Sequence, residues 1–197
     1  MIAILDYGAG NLRSVQNTLE AIGAEYTLVR DGKGLRDASK IILPGVGHFG
    51  QLMRSLDEMC VREPLTERIT AGVPFLGICL GLQALFQRSS EATEVAGLGI
   101  FEGAVERFPA DARVPHMGWN TLDFTKPARI LNGLAPQSHV YFAHSYFVPV
   151  TDATAATSTY TRPYTSVLEQ DNVFGVQFHP EKSGPIGMKI VQNFVEL

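Results

Sequence analysis

A cysteine between two glycines and a distant histidine–glutamate pair are the residues of this chain best suited to covalent chemistry. Cys79 lies in the segment Gly-Ile-Cys-Leu-Gly at residues 77–81, and His179 and Glu181 flank a proline near the C-terminus. A thiol nucleophile needs a base that takes its proton, and the base needs a third group that fixes its orientation. The sequence therefore predicts a Cys-His-Glu triad that carries out acyl transfer.

The cysteine is expected on a sharp turn between a strand and a helix. The apolar run Val73–Ile78 is typical of a strand that is buried on both faces of a parallel sheet, and a helix is predicted from Leu80 to about Arg88. Such a turn resembles the nucleophile elbow, in which flanking glycines avoid steric clashes. The start of the helix favours a thiolate, and the backbone N–H of Leu80 is a candidate oxyanion donor.

The histidine and the glutamate are expected to face each other at the end of a strand. Val173–Phe178 is a predicted strand, and residues i and i+2 of an extended segment point to the same side. Glu181 would then orient the ring of His179, which would take the thiol proton. Taken singly, each motif also fits a plainer structure: a buried core cysteine for Cys79, and a surface turn with a solvated glutamate for the pair.

The other cysteine and histidines are weaker candidates for chemistry. Cys60 continues an apolar helical stripe, so we expect it in the core, and both thiols are expected to stay free in a reducing compartment. His48, His116, His139 and His144 are expected to be structural or surface residues. Since no group has the ligand spacing of zinc sites, we expect no metal, and we expect no cofactor.

Two glycine-rich loops follow predicted strands. The loop at residues 43–48 lacks the Lys-Ser/Thr of a phosphate loop, so it is interpreted as a second source of oxyanion donors, from the backbone of Gly45 and Val46. Because glycine relaxes the backbone, this loop can adopt more than one peptide orientation, and in the free chain the donor is expected to point away until a partner binds its own substrate. The loop at residues 6–11 predicts a surface that binds another molecule.

The alternation of strands and helices predicts an α/β fold in one domain, residues 1–197. We expect a mostly parallel central sheet with helices on both faces and an antiparallel region in the C-terminal half. Helices are predicted over 12–22, 49–60 and 186–194. Further strands are predicted over 2–6, 26–30, 40–43, 104–108, 121–124, 140–143, 146–150, 155–160 and 166–170, with a hairpin turn at 169–172.

Net charge and hydropathy argue against two classes of protein, those that bind nucleic acid and those that bind or span membranes. The net charge of −4 argues against a general nucleic-acid or acidic-membrane surface, which needs a basic field. The longest apolar run, Val73–Leu80, is too short to span a bilayer, and the N-terminus does not match a signal peptide. We therefore expect a cytoplasmic enzyme that binds neither membranes nor nucleic acid.

Taken together, the motifs resemble those of the class I (triad-type) glutamine amidotransferases, and within that class the glutaminase subunits of imidazole glycerol phosphate synthases. The resemblance covers essentially the whole chain. It is carried by residues 6–11, 44–47, 77–83, 115–120, 144–146 and 175–184. It implies that Cys79 attacks the carboxamide of glutamine, and that Gln83, Glu91 and Ser145 hold the substrate.

The resemblance also implies a partner. This would be a (β/α)₈-barrel cyclase that forms a heterodimer with the chain and uses the released ammonia to make imidazole glycerol phosphate and aminoimidazole carboxamide ribonucleotide. Asn11, Trp119 and Lys182 match positions at that interface. The alternatives are a glutaminase subunit of anthranilate or pyridoxal phosphate synthesis, a stand-alone cysteine peptidase or γ-glutamyl hydrolase, and a non-catalytic regulatory module.

Overall fold

The computed structural model describes residues 1–8 and 11–197, and a large mixed sheet forms its centre. The strands are β1 (Ile2–Leu5), β2 (Tyr26–Val29), β3 (Lys40–Gly45), β4 (Phe75–Cys79), β5 (Phe86–Ser89), β6 (Phe101–Arg107), β7 (His116–Thr121), β8 (Asp123–Phe124), β9 (His139–His144), β10 (Tyr146–Phe147), β11 (Thr154–Tyr160), β12 (Arg162–Gln170) and β13 (Val173–Val176). The helices are α1 (Leu12–Ala21), α2 (Gly32–Arg36), α3 (Phe49–Glu58), α4 (Arg62–Thr70), α5 (Leu80–Gln83) and α6 (Gly184–Val195), with 3₁₀ turns at Arg129–Leu131 and Pro180–Lys182.

The central sheet is parallel at one side and antiparallel at the other. Its strand order is β2-β1-β3-β4-β13-β12-β11-β8. All pairs from β2 to β13 are parallel, and all pairs from β13 to β8 are antiparallel. This confirms the predicted α/β class with its antiparallel C-terminal region. The hairpin between β12 and β13 turns at residues 171–172, within the predicted turn.

Helices cover both faces of the sheet because its parallel strands are apolar on both sides. In β1, Ala3 and Leu5 pack on one face, where α2, α3 and α4 contribute their buried side chains. Ile2 and Ile4 pack on the other face against α1 and α6. The predicted stripes of α1, α3 and α6 therefore face the core. Burying both faces of the sheet holds the strand ends rigidly, and the site lies at those ends.

Two small sheets flank the central one. In one, β6 pairs with β5 and β10; in the other, β7 pairs with β9 in antiparallel fashion. The second pairing places His116 opposite His144 and Trp119 opposite Tyr141. Residues 143–146, where β9 ends and β10 begins, line the pocket at Cys79.

The helix after the cysteine is shorter than predicted. It ends at Gln83, and β5 follows where the sequence predicts the rest of a helix to about Arg88. The backbone N–H groups of Gly97, Leu98 and Phe101 donate to carbonyls within residues 84–87. These tertiary hydrogen bonds take the place of helical ones. Residues 86–89, whose apolar pattern is compatible with a helix, therefore form the edge strand β5.

The expectation that Cys60 packs in the core is wrong. Helix α3 ends at Glu58, and Cys60 takes a positive φ of 54° as the chain turns into α4, which the sequence analysis did not predict. The thiol is consequently exposed, whereas Cys79 is buried, and neither forms a disulfide. Within the described residues, no helix is both long and apolar enough to cross a membrane.

Candidate active site

Cys79 ends β4 in a strained backbone conformation. Its φ of 54° and ψ of −106° are rare for a residue with a side chain, and such strain is typical of functional turns. The turn is tightly packed. A Cβ on Gly77 would lie 2.5 Å from the carbonyl oxygen of Gly81, and a Cβ on Gly81 would overlap the carbonyl of Leu43. Only glycine fits at these two positions, as the elbow motif predicts.

Three strand ends meet at the carboxyl edge of the parallel sheet. Gly45, the last residue of β3, is paired with Cys79, and Val176 of β13 is paired with Ile78 of β4. The chain that leaves β13 reaches His179 three residues later. Crevices at this edge are where open α/β sheets bind their ligands. The register therefore brings the glycine-rich loop at residues 43–48 and His179 to Cys79.

His179 and Glu181 form a buried pair. The Nδ1 of His179 lies 2.9 Å from Oε1 of Glu181, and the two side chains are 4% and 2% exposed. The backbone between them is a 3₁₀ turn, which differs from the extended segment that we expected. Ser183 stabilises this turn, because its hydroxyl donates to the carbonyl of His179.

The environment of His179 favours its charged form. Burial lowers the pKa of His179, but hydrogen bonds to the Cys79 sulfur and to the Glu181 carboxylate, together with their charges, outweigh burial and raise it to about 10. The ring therefore holds a proton near neutral pH. A protonated imidazole beside the cysteine sulfur can donate its proton to a leaving group.

The charge of Glu181 gives a prediction on pH dependence. Glu181→Gln removes a cause of the raised pKa of His179, so we expect the imidazolium to lose its proton roughly one to three pH units lower. The fold stability that comes from a raised histidine pKa is complete below pH 6.5 and is lost as the pH rises through the folded value, so this loss begins at a lower pH in the variant. Imidazole NMR titration measures the shift.

Glu94→Gln is the control for this titration, because Glu94 is a surface carboxylate whose side chain is 69% exposed. It should leave the titration of His179 unchanged. An imidazole of His179 that titrates at the same pH in Glu181→Gln as in the unchanged chain would contradict the assignment of Glu181.

The pocket above the cysteine gathers the side chains that the resemblance assigns to substrate. Gln83, Glu91 and Ser145 all line it together with Cys79 and His179. Its volume of about 190 Å³ is below the ~300–1,000 Å³ of sites for drug-sized ligands, so it suits a small metabolite. Oε2 of Glu91 is occupied as an acceptor for the N–H of Phe49 at 2.7 Å, which leaves Oε1 for a ligand.

The three residues predicted to supply oxyanion donors differ in their surroundings. Leu80 and Val46 both line the pocket, and Gly45 lies in the strand register opposite Cys79. The N–H of Val46, however, donates to the hydroxyl of Tyr7 at 3.3 Å. Burial raises the pKa of Tyr7 to about 12, so this phenol keeps its proton and stays a neutral acceptor. In this structure the Val46 donor is therefore already engaged.

Two of the three residues predicted at a partner interface, Trp119 and Lys182, lie beside Tyr141. Trp119 is 57% exposed and contacts the Tyr141 ring edge to face, with centroids 6.0 Å apart. The amine of Lys182 lies 6.0 Å from the centroid of the same ring. Asn11 is placed differently, because its amide donates to Oε1 of Glu181 at 3.3 Å. A residue expected only at a surface thus contacts the triad.

Two further residues near the site were not singled out from the sequence. Gln177 donates through Nε2 to the sulfur of Cys79 at 3.6 Å, and Tyr7 holds Val46 as described above. Gln177 precedes His179 by two residues, and the alternation of the predicted strand that leads to His179 would place both on one side, so this signal could have identified Gln177. No comparable pattern points from Tyr7 to Val46.

Three of the four remaining histidines have structural contacts. His48 caps α3 by accepting the N–H of Gly50, and His139 is exposed at the start of β9. His116 and His144 are buried, with Nδ1 of the first 3.2 Å from Nε2 of the second. Among the described residues, no three His, Cys, Asp or Glu side chains converge as a metal site would require.

Comparison with known proteins agrees with this geometry. The family model of glutamine amidotransferase class-I matches residues 3–197. Solved structures share the fold: a glutamine amidotransferase with a TM-score of 0.78 at 21% identity, over 99% of this chain and 97% of that one, and PurLQS from Thermotoga maritima with 0.75 at 21%, again over 99% and 97%. The chain therefore belongs to the class-I glutamine amidotransferases.

Within that family, relatives that match the chain over nearly its whole length are subunits of imidazole glycerol phosphate synthase. It is 46% identical to the imidazole glycerol phosphate synthase subunit HisH of Methanocaldococcus jannaschii, over 100% of both chains. It is also 46% identical to HisH of Desulfitobacterium hafniense strain Y51, over 98% of this chain and 93% of that protein. These relatives place it with the HisH subunits, as the resemblance of the motifs indicates.

Proposed function

We propose that this chain is the glutaminase subunit of an imidazole glycerol phosphate synthase and acts in histidine biosynthesis. The observation that carries the proposal is the convergence of Cys79, His179 and Glu181 at the carboxyl edge of the sheet, beside a small polar pocket. The HisH relatives, whose printed names make them subunits of that synthase, support the choice of pathway.

The proposed reaction begins with the thiolate. The sulfur of Cys79 attacks the side-chain carbonyl carbon of glutamine, and the carbonyl oxygen becomes an oxyanion. His179 donates its proton to the nitrogen as the C–N bond breaks, which releases ammonia and leaves a thioester. His179, now neutral, takes a proton from water as the water attacks the thioester. Glutamate leaves, and the sulfur and the imidazolium are restored.

The remaining residues of the pocket orient glutamine. Oε1 of Glu91 is the available acceptor for the substrate ammonium, since Oε2 is occupied by α3. Nε2 of Gln83 donates to the carbonyl of Tyr146 and to Gln177, so Oε1 of Gln83 is left to accept from the substrate. Ser145 lines the same wall. These groups select an amino acid with a charged ammonium.

We infer that the partner is a (β/α)₈-barrel cyclase that receives the ammonia. Trp119 and Lys182 supply an aromatic and a cationic group beside Tyr141, and Asn11 supplies an amide beside Glu181; such groups suit a protein partner. Glutaminase assays with and without a candidate cyclase and its ligand test the proposal. Turnover that rises steeply in the complex supports it, and full turnover without any partner supports a stand-alone hydrolase.

The Tyr7–Val46 hydrogen bond predicts a restrained glutaminase. If Val46 must turn its N–H to an oxyanion at Cys79, the bond to Tyr7 has to break first. Tyr7→Phe removes the acceptor, so we expect glutaminase turnover of the isolated chain to rise up to about 10-fold, the equivalent of one hydrogen bond. Release of glutamate measures this effect.

Tyr26→Phe is the matched control, because that hydroxyl bonds to Glu20 at the surface. It should leave turnover unchanged. If Tyr7→Phe lowers turnover of the isolated chain, Tyr7 supports the active state and the restraint is refuted.

A further inference from the structure

The amide of Gln177 touches both the proposed nucleophile and a residue proposed to hold substrate. Gln177 is fully buried. Its Nε2 lies 3.6 Å from the sulfur of Cys79, and its Oε1 lies 3.0 Å from Nε2 of Gln83. The mechanism described above uses Cys79 and Gln83 but gives no role to the side chain between them.

The orientation of this amide follows from hydrogen-bond polarity. The carbonyl of Tyr146 can only accept, so the atom of Gln83 that contacts it at 2.9 Å must be the NH₂ group. The second hydrogen of that group needs an acceptor, and Gln177 is the neighbour that provides one. Gln177 therefore presents its oxygen to Gln83 and its NH₂ group to the sulfur.

A second donor contacts the same carbonyl. Nδ1 of His144 lies 2.8 Å from the carbonyl of Tyr146, so that nitrogen carries a proton, and Nε2 accepts from Nδ1 of His116. Burial lowers the pKa of His144 to about 3, so the ring stays neutral over the range in which the site would work. Nε2 of His144 therefore remains an acceptor, and the directions of these hydrogen bonds stay the same over that range.

We propose that Gln177 is a positioning residue, whose N–H orients the Cys79 sulfur and stabilises it as a thiolate, while Gln83 holds the Gln177 amide in the donating orientation. A hydrogen bond to a charged acceptor is stronger than one to a neutral acceptor, so the contact favours the thiolate over the thiol. Substrate recognition and nucleophile orientation then share one carboxamide. Only the role of Gln83 toward glutamine rests on the proposed function.

Alkylation of Cys79 tests the contact without glutamine. In a Cys60→Ser background, iodoacetamide modification of the Cys79 peptide is followed by mass spectrometry over a range of pH. Gln177→Met keeps the length of the side chain but removes the donor, so we expect the pH midpoint of alkylation to rise by about one unit. With the partner present, kcat should fall about 10-fold, and KM should change less than about 2-fold.

Gln83→Met provides a second and independent test, which also serves if Gln177→Met does not fold. Gln83 does not bond to the sulfur, yet its loss frees the Gln177 amide to rotate. The pH midpoint of Cys79 alkylation should therefore rise, but by less than in Gln177→Met. The double variant should shift no further than Gln177→Met alone, because both changes act through one contact.

Asn193→Leu is the matched control, since Asn193 is a buried amide that donates to the carbonyls of Ile130 and Asn132. It should lower Tm and leave the midpoint unchanged. An unshifted midpoint in folded Gln177→Met, or an equal shift in Asn193→Leu, overturns the proposal. If the alkylation midpoint shifts in Gln177→Met but the unchanged chain with its partner hydrolyses no glutamine, the role of Gln177 as a positioning residue stands and the glutaminase function is refuted.

Discussion

Cys79→Ala should lower glutamine-dependent synthesis by the complex at least about 10⁴-fold while ammonia-dependent synthesis by the partner stays intact. The substitution removes the atom that attacks the carboxamide, and no neighbouring group can form the thioester in its place. Free ammonia bypasses the glutaminase, so the partner still has its substrate. Product formation is measured with glutamine and then with an ammonium salt at high pH.

Cys60→Ser is the control for this experiment, because it removes the exposed thiol and leaves the buried one. It should retain full activity with both nitrogen sources. Unchanged glutamine-dependent turnover in Cys79→Ala would refute the triad. Loss of both activities would point instead to a damaged interface or fold.

Gly81→Ala should destabilise the fold by at least about 3 kcal/mol. The added methyl group would overlap the backbone carbonyl of Leu43, and a backbone atom of a central strand cannot move aside as the tip of a side chain can. Relief requires β3 to separate from the elbow, which also displaces Gly45 from its place opposite Cys79. Denaturant unfolding measures the loss, and any folded fraction should have little glutaminase activity.

Gly32→Ala is a suitable comparison, since a Cβ at the start of α2 would meet side chains and no backbone: the ring of Pro64 at 3.1 Å and the guanidinium of Arg36 at 3.6 Å. Its effect should stay within about 1 kcal/mol. Equal unfolding midpoints for Gly81→Ala and the unchanged chain would show that the elbow is not sterically closed.

Local patterns were sufficient to predict the fold class and the residues of the candidate triad. Apolar strands that alternate with helices define a parallel sheet, and the glycines around Cys79 anticipate a turn that tolerates no side chain at positions 77 and 81. His179 and Glu181 lie two residues apart, so their proximity needed little tertiary information. The backbone between them nevertheless forms a 3₁₀ turn, where the sequence predicts an extended segment.

The features that the sequence did not predict depend on contacts between distant segments. The end of α5 at Gln83 is decided by hydrogen bonds from residues 97–101, and apolar periodicity carries no information about those donors. Asn11 reaches Glu181 across 170 positions, and Tyr7 reaches Val46 across 39. Such pairs follow from the strand order β1-β3-β4-β13, which local propensity leaves open.

The neutral ring of His144 makes the electrostatics of the pocket easy to interpret. His144 and His179 line the same wall, and their pKa values are shifted in opposite directions, to about 3 and about 10. Of these two rings, His179 is the one expected to give the spectroscopic signal of a charged imidazole at neutral pH. His179 can thus serve as a built-in reporter, so that docking of a partner could be followed by changes in one resonance, without an added label.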